Sequence, residues 1–253
     1  MRYSYEELAG LIDHSLLHPT MNDTEMEAGC RVAAQYRVAS VCIKPYAVRR
    51  AAELLAGTGV AVGTVIGFPH GGSETEVKRY ETEIACRAGA TEIDMVANIG
   101  KILSGDWDYV REDIRAVVAE AHQHGAIVKV IFENDYIADD AVKVKLCQIC
   151  EEVNADYVKT STGYGFVKGV DGKYSYQGAT EHDLRLMRAS CSPTVQVKAA
   201  GGVRDLDALI RCKELGCGRV GATATAAMMD EYKRRAEQGN MGTTDAKLGT
   251  GEY

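Results

Sequence analysis

Short apolar runs alternate with longer amphipathic segments along almost the whole chain, and this alternation limits the possible folds more than any other feature. Eight runs have the length and composition of buried strands, and segments with apolar residues at helical spacings of three and four separate them. Repeated strand and helix units predict parallel strands joined by right-handed crossovers. The eight predicted strands are LIDHSLL from Leu11, SVCIK from Ser40, VAVGTVIG from Val60, EIDMVA from Glu92, AIVKVIFE from Ala126, YVKTST from Tyr157, TVQVKAA from Thr194 and RVGAT from Arg219.

Eight such units in 253 residues are typical of the α/β class and of a closed (β/α)8 TIM barrel. An open, doubly wound sheet usually has fewer strands and often a Gly-x-Gly-x-x-Gly turn after the first, which this sequence lacks. Because no linker-like stretch interrupts the pattern, we predict a single barrel domain over residues 1–235. The polar, glycine-rich segment 236–253 is predicted to be a mobile tail.

The overall charge restricts the partners of this chain. A net charge of -7 and a pI near 5.5 argue against a general nucleic-acid or anionic-membrane surface. No apolar run is long enough for a signal peptide or a membrane span, so we expect a cytoplasmic protein. The eight cysteines are then expected to be reduced thiols. Cys147 and Cys150 form a Cys-x-x-Cys pair, but they lie in a helical pattern that explains their spacing.

Charged side chains occupy strand faces that we expect to point into the barrel. Side chains alternate between the two faces of a strand, and this alternation places Lys129, Lys159, Lys198 and Asp94 on the inner side. Active sites of TIM barrels form at the carboxyl ends of the strands, so the four groups are expected to converge at similar depth in one cavity. Buried structural ion pairs are the alternative. Three lysines with so few acids favour chemistry over a balanced structural network.

Lysines in such a cavity point to the chemistry of a neutral amine. A desolvated lysine beside another cation loses its proton near neutral pH and can form a Schiff base with a carbonyl carbon. The repulsion is sufficient, since two unit charges ~4 Å apart repel by about 4 kcal/mol at an effective dielectric of 20. Lys198 is a candidate perturber of Lys159, and Asp94 is a candidate acid or base. The six histidines form no cluster with metal-ligand spacing, so we predict neither metal nor cofactor.

Two glycine-containing loops are candidates for binding phosphate. TIM barrels commonly bind phosphate at the loops after the seventh and eighth strands. Here these loops are AAGGVRD, residues 199–205, and GATAT, residues 221–225, and each leads into a predicted helix whose amide groups would face an anion. Gly201 and Gly202 would allow the backbone to approach a ligand closely. The alternative is that these glycines only form a tight turn.

Seven motifs in chain order resemble those of the 2-deoxyribose-5-phosphate aldolases of the DeoC type, which are class I aldolases. They are IDHSLLHPT, ASVCIKPYAV, TVIGFPHG, EIDMVANIG, VKVIFE, VKTSTGYG and VKAAGGVR, and the match as a whole runs from about Ile12 to Thr223. The resemblance implies cofactor-free, reversible cleavage of 2-deoxy-D-ribose 5-phosphate to acetaldehyde and D-glyceraldehyde 3-phosphate. It also implies a homo-oligomer, either a dimer or a tetramer.

The resemblance assigns roles to residues that match the family's motifs. Lys159 matches the Schiff-base lysine, Lys198 the neighbour that lowers its pKa, and Asp94 the acid/base carboxylate, which acts with an ordered water. Tyr253 matches a catalytic tyrosine that ends the mobile tail of some members. The implied substrate-binding residues are Lys129, Asp13, Cys42, Thr160, Gly201, Gly202, Gly221 and Ala222.

The sequence departs from the family pattern in two places. Ala222 and Thr223 stand where family members often carry a serine, so the hydroxyl group is expected to be either displaced or supplied by threonine. The segment Tyr164 to Gly178 is longer than the usual connection. It is predicted to pack against a neighbouring subunit, to fold as a small hairpin with an Asp-Gly turn, or to act as a substrate lid. Two other functions remain open at this stage: a sugar-phosphate-binding barrel without catalysis, and a related lysine-dependent aldolase with a different acceptor.

Overall fold

The computed structural model describes residues 3–239 and 248–249, in which ten strands and ten α-helices follow one another. The strands are β1 (Ile12–Leu16), β2 (Ser40–Ile43), β3 (Ala61–Ile66), β4 (Glu92–Val96), β5 (Ile127–Ile131), β6 (Tyr157–Lys159), β7 (Val167–Lys168), β8 (Tyr174–Ser175), β9 (Gln196–Ala200) and β10 (Cys217–Ala222). The helices are α1 (Tyr5–Ala9), α2 (Asp23–Tyr36), α3 (Val48–Leu55), α4 (Thr75–Arg87), α5 (Ile99–Leu103), α6 (Trp107–Gln123), α7 (Asp140–Glu152), α8 (Glu181–Ser190), α9 (Leu206–Glu214) and α10 (Thr225–Glu237).

Eight of the strands form a closed parallel barrel, which confirms the predicted TIM-barrel fold. Their order around the barrel is β1, β2, β3, β4, β5, β6, β9 and β10, and β10 pairs with β1 to close it. Each predicted run overlaps one barrel strand, although β10 begins at Cys217, two residues before the predicted start. The sixth run was predicted to continue through Thr162, but β6 ends at Lys159. The N–H of Thr160 still donates to the backbone of Lys198, but that of Thr162 donates to the side chain of Glu133 instead of to a neighbouring strand.

Most of the described α-helices begin where a polar side chain accepts from one of their first backbone N–H groups; α3, α4 and α10 do not. Asn22 caps α2 and exchanges hydrogen bonds with Glu25, which forms a capping box. Asp205 caps α9 in the same way by accepting from the N–H of Ala208. The apolar faces of the helices cover the barrel, so that β4 is buried along its whole length. None of the helices in the described ranges is long and apolar enough to cross a membrane.

The long segment after β6 folds as a two-stranded antiparallel hairpin, which is one of its predicted forms. Strands β7 and β8 pair with each other, and the turn between them contains Asp171 and Gly172, whose φ is 80°. The hairpin is fixed at its base by Tyr176, which is buried and whose hydroxyl occupies the space that a Cβ on Gly201 would need. The other predicted role of the segment, as a substrate lid, stays a prediction.

The carboxyl-terminal part of the chain is described only in places. Helix α10 continues to Glu237, two residues beyond the predicted end of the domain at 235. Leu248 packs against the hydrophobic core, and a Cβ on Gly249 would lie 3.1 Å from Cγ2 of Thr180. Residues 240–247 and 250–253 lie outside the described residues. The prediction of a mobile tail and the predicted role of Tyr253 therefore fall outside them as well.

Candidate active site

The carboxylate of Asp94 lies at the centre of a group of buried lysines. Its Oδ2 is 2.7 Å from Nζ of Lys159 and 2.7 Å from Nζ of Lys198, and its Oδ1 is 2.9 Å from Nζ of Lys129. The four groups come from β4, β5, β6 and β9 and are each 3% exposed or less. The barrel therefore brings the four inward-facing residues of the sequence analysis into direct contact.

The expectation of few acids was wrong, because two more carboxylates join this group. Asp13 on β1 is 2.5 Å from Nζ of Lys198, and Glu92 on β4 is 2.6 Å from Nζ of Lys129. Arg219 on β10 adds a fourth cation, with Nη1 2.7 Å from Asp13 and 2.8 Å from Glu92. Glu92 shares its strand face with Asp94, so counting charges over all eight inner faces could have revealed the fuller network. Arg219 was harder to find, because the ladder shifts register between Cys217 and Arg219.

The three lysines lie at two different depths, not at the similar depth that was expected. Lys159 is opposite Lys198 in the register of β6 and β9, and it is opposite Ile131 in β5. Lys129 is instead opposite Tyr157, so it lies two residues closer to the amino ends of the strands. Alternation along a strand gives the face of a side chain, whereas its depth depends on the stagger between strands, which alternation does not reveal.

The number of carboxylate partners differs among the three lysines. Within the described ranges, Lys159 has one carboxylate in ion-pair distance, Lys198 has two and Lys129 has three. Burial lowers the pKa of Lys159, and although Asp94 opposes this effect, the charge of Lys198 adds to it. Burial acts on Lys198 in the same direction, but Asp13 and Asp94 outweigh it and raise the pKa of Lys198. Lys159 therefore loses its proton more readily than an ordinary lysine, whereas Lys198 stays protonated.

Two other groups in the site have clear protonation states. Burial would raise the pKa of Asp94, but the ammonium groups of Lys129, Lys159 and Lys198 outweigh it and hold that pKa well below its usual value. Asp94 is therefore ionised at neutral pH. Burial raises the pKa of Cys42 to about 11, so its thiol is neutral. Its Sγ lies 3.9 Å from Oδ2 of Asp94.

A cavity of about 180 Å³ opens above Lys159 and Lys198, at the carboxyl ends of the strands. Asp94 and Lys129 are not among the residues that line the cavity. Asp94 contacts both lysines of the cavity, and Lys129 contacts the carboxylates of Asp13, Glu92 and Asp94. The structure directs Thr160 elsewhere, because its hydroxyl bonds the backbone N and O of Ala200, each at 3.1 Å, and joins β6 to β9. The predicted residues that do line the cavity are Asp13, Cys42, Lys159, Lys198, Gly201, Gly202, Gly221 and Ala222.

The rim of the cavity is formed by the two loops that were predicted to bind phosphate. Gly201 and Gly202 have φ values of 85° and 82°, a region that favours glycine and leaves their backbone close to the cavity. Thr223, the threonine named above as a possible source of the family's serine hydroxyl, also lines it, and so does Arg204, which was not among the predicted substrate contacts. Arg204 is the one basic side chain of the AAGGVRD loop, so its charge in a candidate phosphate loop was the available signal. Other unpredicted lining residues are Ser15, Leu17, His18, Met21, Thr162, Gly163, Tyr164, Ala200 and Val203.

Replacement of Gly201 by alanine should damage this rim. A Cβ would both strain a backbone with positive φ and displace the hydroxyl of Tyr176, so we expect a loss of stability of about 1–3 kcal/mol and a higher KM for phosphorylated substrate. Gly57→Ala is a matched control, because Gly57 also has a positive φ but nothing lies within 4 Å of its Cβ position. Chemical denaturation and steady-state kinetics would measure both effects. Equal losses in the two variants would contradict the role given to Tyr176.

A (β/α)8 barrel with buried lysines at the carboxyl ends of its strands is the arrangement expected of a class I aldolase. The model of the DeoC/LacD family aldolases matches residues 8–224, and this chain belongs to that family. The deoxyribose-phosphate aldolase of Rhodopirellula baltica is 48% identical over 233 residues, which cover 92% of both chains. That of Clostridium perfringens is 42% identical, over 89% of this chain and 95% of its own.

A comparison of structures agrees with this assignment. The deoxyribose phosphate aldolase of Aeropyrum pernix, described as having a unique tetrameric structure, superposes on this chain with a TM-score of 0.80 and 29% sequence identity. The superposition covers 91% of this chain and 92% of that one. The described barrel therefore shares the fold of that aldolase over most of the length of both chains.

Proposed function

We propose that this aldolase reversibly cleaves 2-deoxy-D-ribose 5-phosphate to acetaldehyde and D-glyceraldehyde 3-phosphate through a Schiff base on Lys159. The observation that carries the proposal is the difference between the two lysines of the cavity. Lys159 has one carboxylate partner and a lowered pKa, whereas Lys198 has two partners and a raised pKa. One amine is therefore free to attack a carbonyl carbon while a permanent cation lies beside it.

The first half of the reaction joins the sugar to the enzyme. The neutral Nζ of Lys159 attacks C1 of the open-chain aldehyde, and loss of water from the carbinolamine gives an imine, which is protonated to an iminium. Asp94 is 2.7 Å from this nitrogen and can accept or return protons in these steps. Lys198 keeps the amine neutral before attack and can also donate a proton toward the leaving water.

The second half breaks the bond between C2 and C3. A base removes the proton of the C3 hydroxyl, the C2–C3 electron pair moves to the iminium, and D-glyceraldehyde 3-phosphate leaves. The enamine that remains is protonated at C2, and water then hydrolyses the imine to release acetaldehyde and the free amine. Addition of acetaldehyde to the three-carbon aldehyde follows the same steps in reverse.

The phosphate group of the sugar would bind at the rim of the cavity. Helix α10 begins at Thr225, directly after the 221–224 turn, and α9 begins at Leu206, so the amide groups at both helix starts are near the rim. The guanidinium of Arg204 adds a positive charge there. The proposed backbone contacts are Gly201, Gly202, Gly221 and Ala222.

The two alternative functions differ in what they require of Lys159. A barrel that only binds sugar phosphates needs cations, so a buried lysine with a lowered pKa argues against it. An aldolase with another acceptor aldehyde would use the same lysine. It would differ from a deoxyribose-phosphate aldolase only in the residues at the rim that bind the acceptor. The names of the curated relatives favour deoxyribose phosphate.

We also propose that the protein is a homo-oligomer in the cytoplasm. Val77, Tyr80 and Ile84 form an exposed apolar stripe on α4, at spacings of three and four, and each is more than half exposed. Such a stripe is typical of a surface that a second subunit covers. All eight cysteines are free, which fits a reducing compartment.

Trapping of the Schiff base would test the assignment of Lys159 directly. Incubation with acetaldehyde and borohydride should reduce the imine and leave one ethyl group on Lys159, located by peptide mapping. Lys159→Arg should remain unmodified and inactive, and EDTA should leave the wild-type activity intact. Modification at another lysine, or no modification, would refute the mechanism.

A further inference from the structure

Glu133 is a buried acid beside the active-site cavity to which the reaction steps above give no role. It follows β5 and is 1% exposed, with a left-handed backbone at φ 61° that is uncommon for any residue other than glycine. A Cβ on Gly165 would lie 2.5 Å from its carboxyl carbon, so the carboxyl group occupies space that only a glycine leaves open. These two local constraints show that the side chain is held in a defined place.

The carboxylate of Glu133 holds Thr162, three residues after Lys159. Its Oε2 accepts two hydrogen bonds from Thr162, one from the backbone N–H at 3.1 Å and one from the hydroxyl group. The hydroxyl oxygen of Thr162 in turn accepts from the backbone N–H of Tyr164 at 2.9 Å. Thr162 and Tyr164 both line the cavity. Glu133 thus acts on the cavity wall through Thr162.

The hydrogen bonds of the Thr162 hydroxyl leave one of its bonding positions unused, and Thr162 lines the cavity. A hydroxyl group has one donor hydrogen and two acceptor lone pairs. Glu133 takes the hydrogen, and the N–H of Tyr164 takes one lone pair. The remaining lone pair can only accept, so a ligand group that meets Thr162 must be a donor.

We propose that Glu133 is a positioning residue that makes the Thr162 hydroxyl an acceptor for a hydroxyl group of the bound sugar, and so favours hydroxylated over deoxygenated acceptor aldehydes. This inference rests on the proposed function. The ligand class is an aldehyde or sugar with a free hydroxyl group near the reacting carbon. A site that hydrogen-bonds a substrate hydroxyl rejects analogues that lack it, because its own polar group is then left without a partner.

The protonation of Glu133 does not change the direction of these hydrogen bonds. Burial raises its pKa to about 7, while the bonds from Thr162 oppose that effect. Since Oε2 already accepts two donors, a proton on the carboxyl group would sit on Oε1, which is buried and has no hydrogen-bond partner in the described part of the chain. Thr162 therefore donates to Oε2 in both states.

The test is a comparison of two acceptor aldehydes with acetaldehyde as the donor. D-glyceraldehyde 3-phosphate carries a hydroxyl group next to its carbonyl, and 3-phosphooxypropanal is the same aldehyde without it. We expect the ratio of their kcat/KM values to fall by at least about tenfold in Thr162→Val and in Glu133→Leu. Thr162→Ser and Glu133→Gln should keep it, because each retains the required hydrogen-bonding oxygen.

Controls separate positioning from simple support of the loop. Asp135→Asn is matched, because Asp135 is a carboxylate of the same loop that accepts from the N–H groups of Gln177 and Gly178 at 2.6 and 3.0 Å, and it should leave the ratio unchanged. An unchanged ratio in Glu133→Leu or in Thr162→Val would overturn the inference. A loss in Glu133→Gln as large as in Glu133→Leu would also overturn it.

The same variants distinguish failure of this inference from failure of the proposed function. Each folded variant should still be trapped on Lys159 by acetaldehyde and borohydride, because that reaction needs no acceptor. If wild-type protein is not trapped, the proposed function fails. If Lys159 is still trapped but the ratio of kcat/KM values is the same in the variants as in the wild type, only the role given to Glu133 fails. Should Glu133→Leu not fold, the comparison of Thr162→Val with Thr162→Ser and Glu133→Gln decides.

Discussion

Lys198→Leu should lower kcat at pH 7 by about 100-fold or more and should regain part of it at alkaline pH. The positive charge of Lys198 helps to lower the pKa of Lys159, and Asp94 opposes it. Without that charge, the carboxylate of Asp94 still raises the pKa of Lys159 and Lys198 no longer lowers it, so the pKa of Lys159 rises. Because the neutral amine is the nucleophile, turnover should then increase as the pH rises through the new pKa. The pH dependence of kcat, together with circular dichroism to confirm folding, would measure the effect.

The control for this prediction is Lys198→Arg, which keeps the charge beside Lys159. Its pH profile should remain close to that of the wild type even if kcat falls through altered geometry. Asp13 also loses a partner in Lys198→Leu, but Lys129 and Arg219 remain within 3.1 Å and 2.7 Å of it. A profile for Lys198→Leu with an unchanged midpoint would show that Lys198 acts in another way.

Asp94→Asn should lower both activity and stability. Its carboxylate bonds three ammonium groups, and loss of the negative charge leaves buried cations with too little compensation, which costs about 3–5 kcal/mol. The loss of a proton-transfer group at Lys159 should lower kcat by a further factor of about 100 to 10,000. Denaturant unfolding and single-turnover kinetics on folded protein would separate the two losses.

Asp113→Asn provides the matched control for Asp94→Asn. Asp113 is also fully buried and is 2.6 Å from Nζ of a buried lysine, Lys78, but that pair lies between α4 and α6, away from the cavity. We expect it to lose stability like Asp94→Asn while each folded molecule keeps its kcat. If Asp94→Asn also kept its kcat, Asp94 would have only a structural role.

The sequence predicted the barrel well because its fold depends on repeated local patterns. Eight runs that are buried on both faces, separated by amphipathic segments, admit few other arrangements. The end of β6 could not be predicted, since Thr162 continues the β-branched pattern and only the distant Glu133 removes its N–H from the ladder. The Asp171-Gly172 turn did indicate the hairpin, but the burial of Tyr176 against Gly201 depends on tertiary contacts.

The sequence predicted which residues form the candidate site better than it predicted how they are arranged. Alternation gave the inner faces of Lys129, Lys159 and Lys198, but the greater depth of Lys129 required the strand register. Thr160 follows Lys159 directly and so faces away from the cavity, as alternation alone could have shown. Glu133 was not recognised because its role depends on a residue 29 positions away.

Closure of the barrel has a consequence for the protein during its synthesis on the ribosome. The cation beside Lys159 comes from β9, and the partner of that cation, Asp13, is 185 positions earlier in the chain. A nascent chain that has emerged only as far as β6 holds Lys159 in water, where an amine keeps an ordinary pKa and stays protonated. The environment that lowers the pKa of Lys159 is therefore complete only when β9, which carries Lys198, is in place.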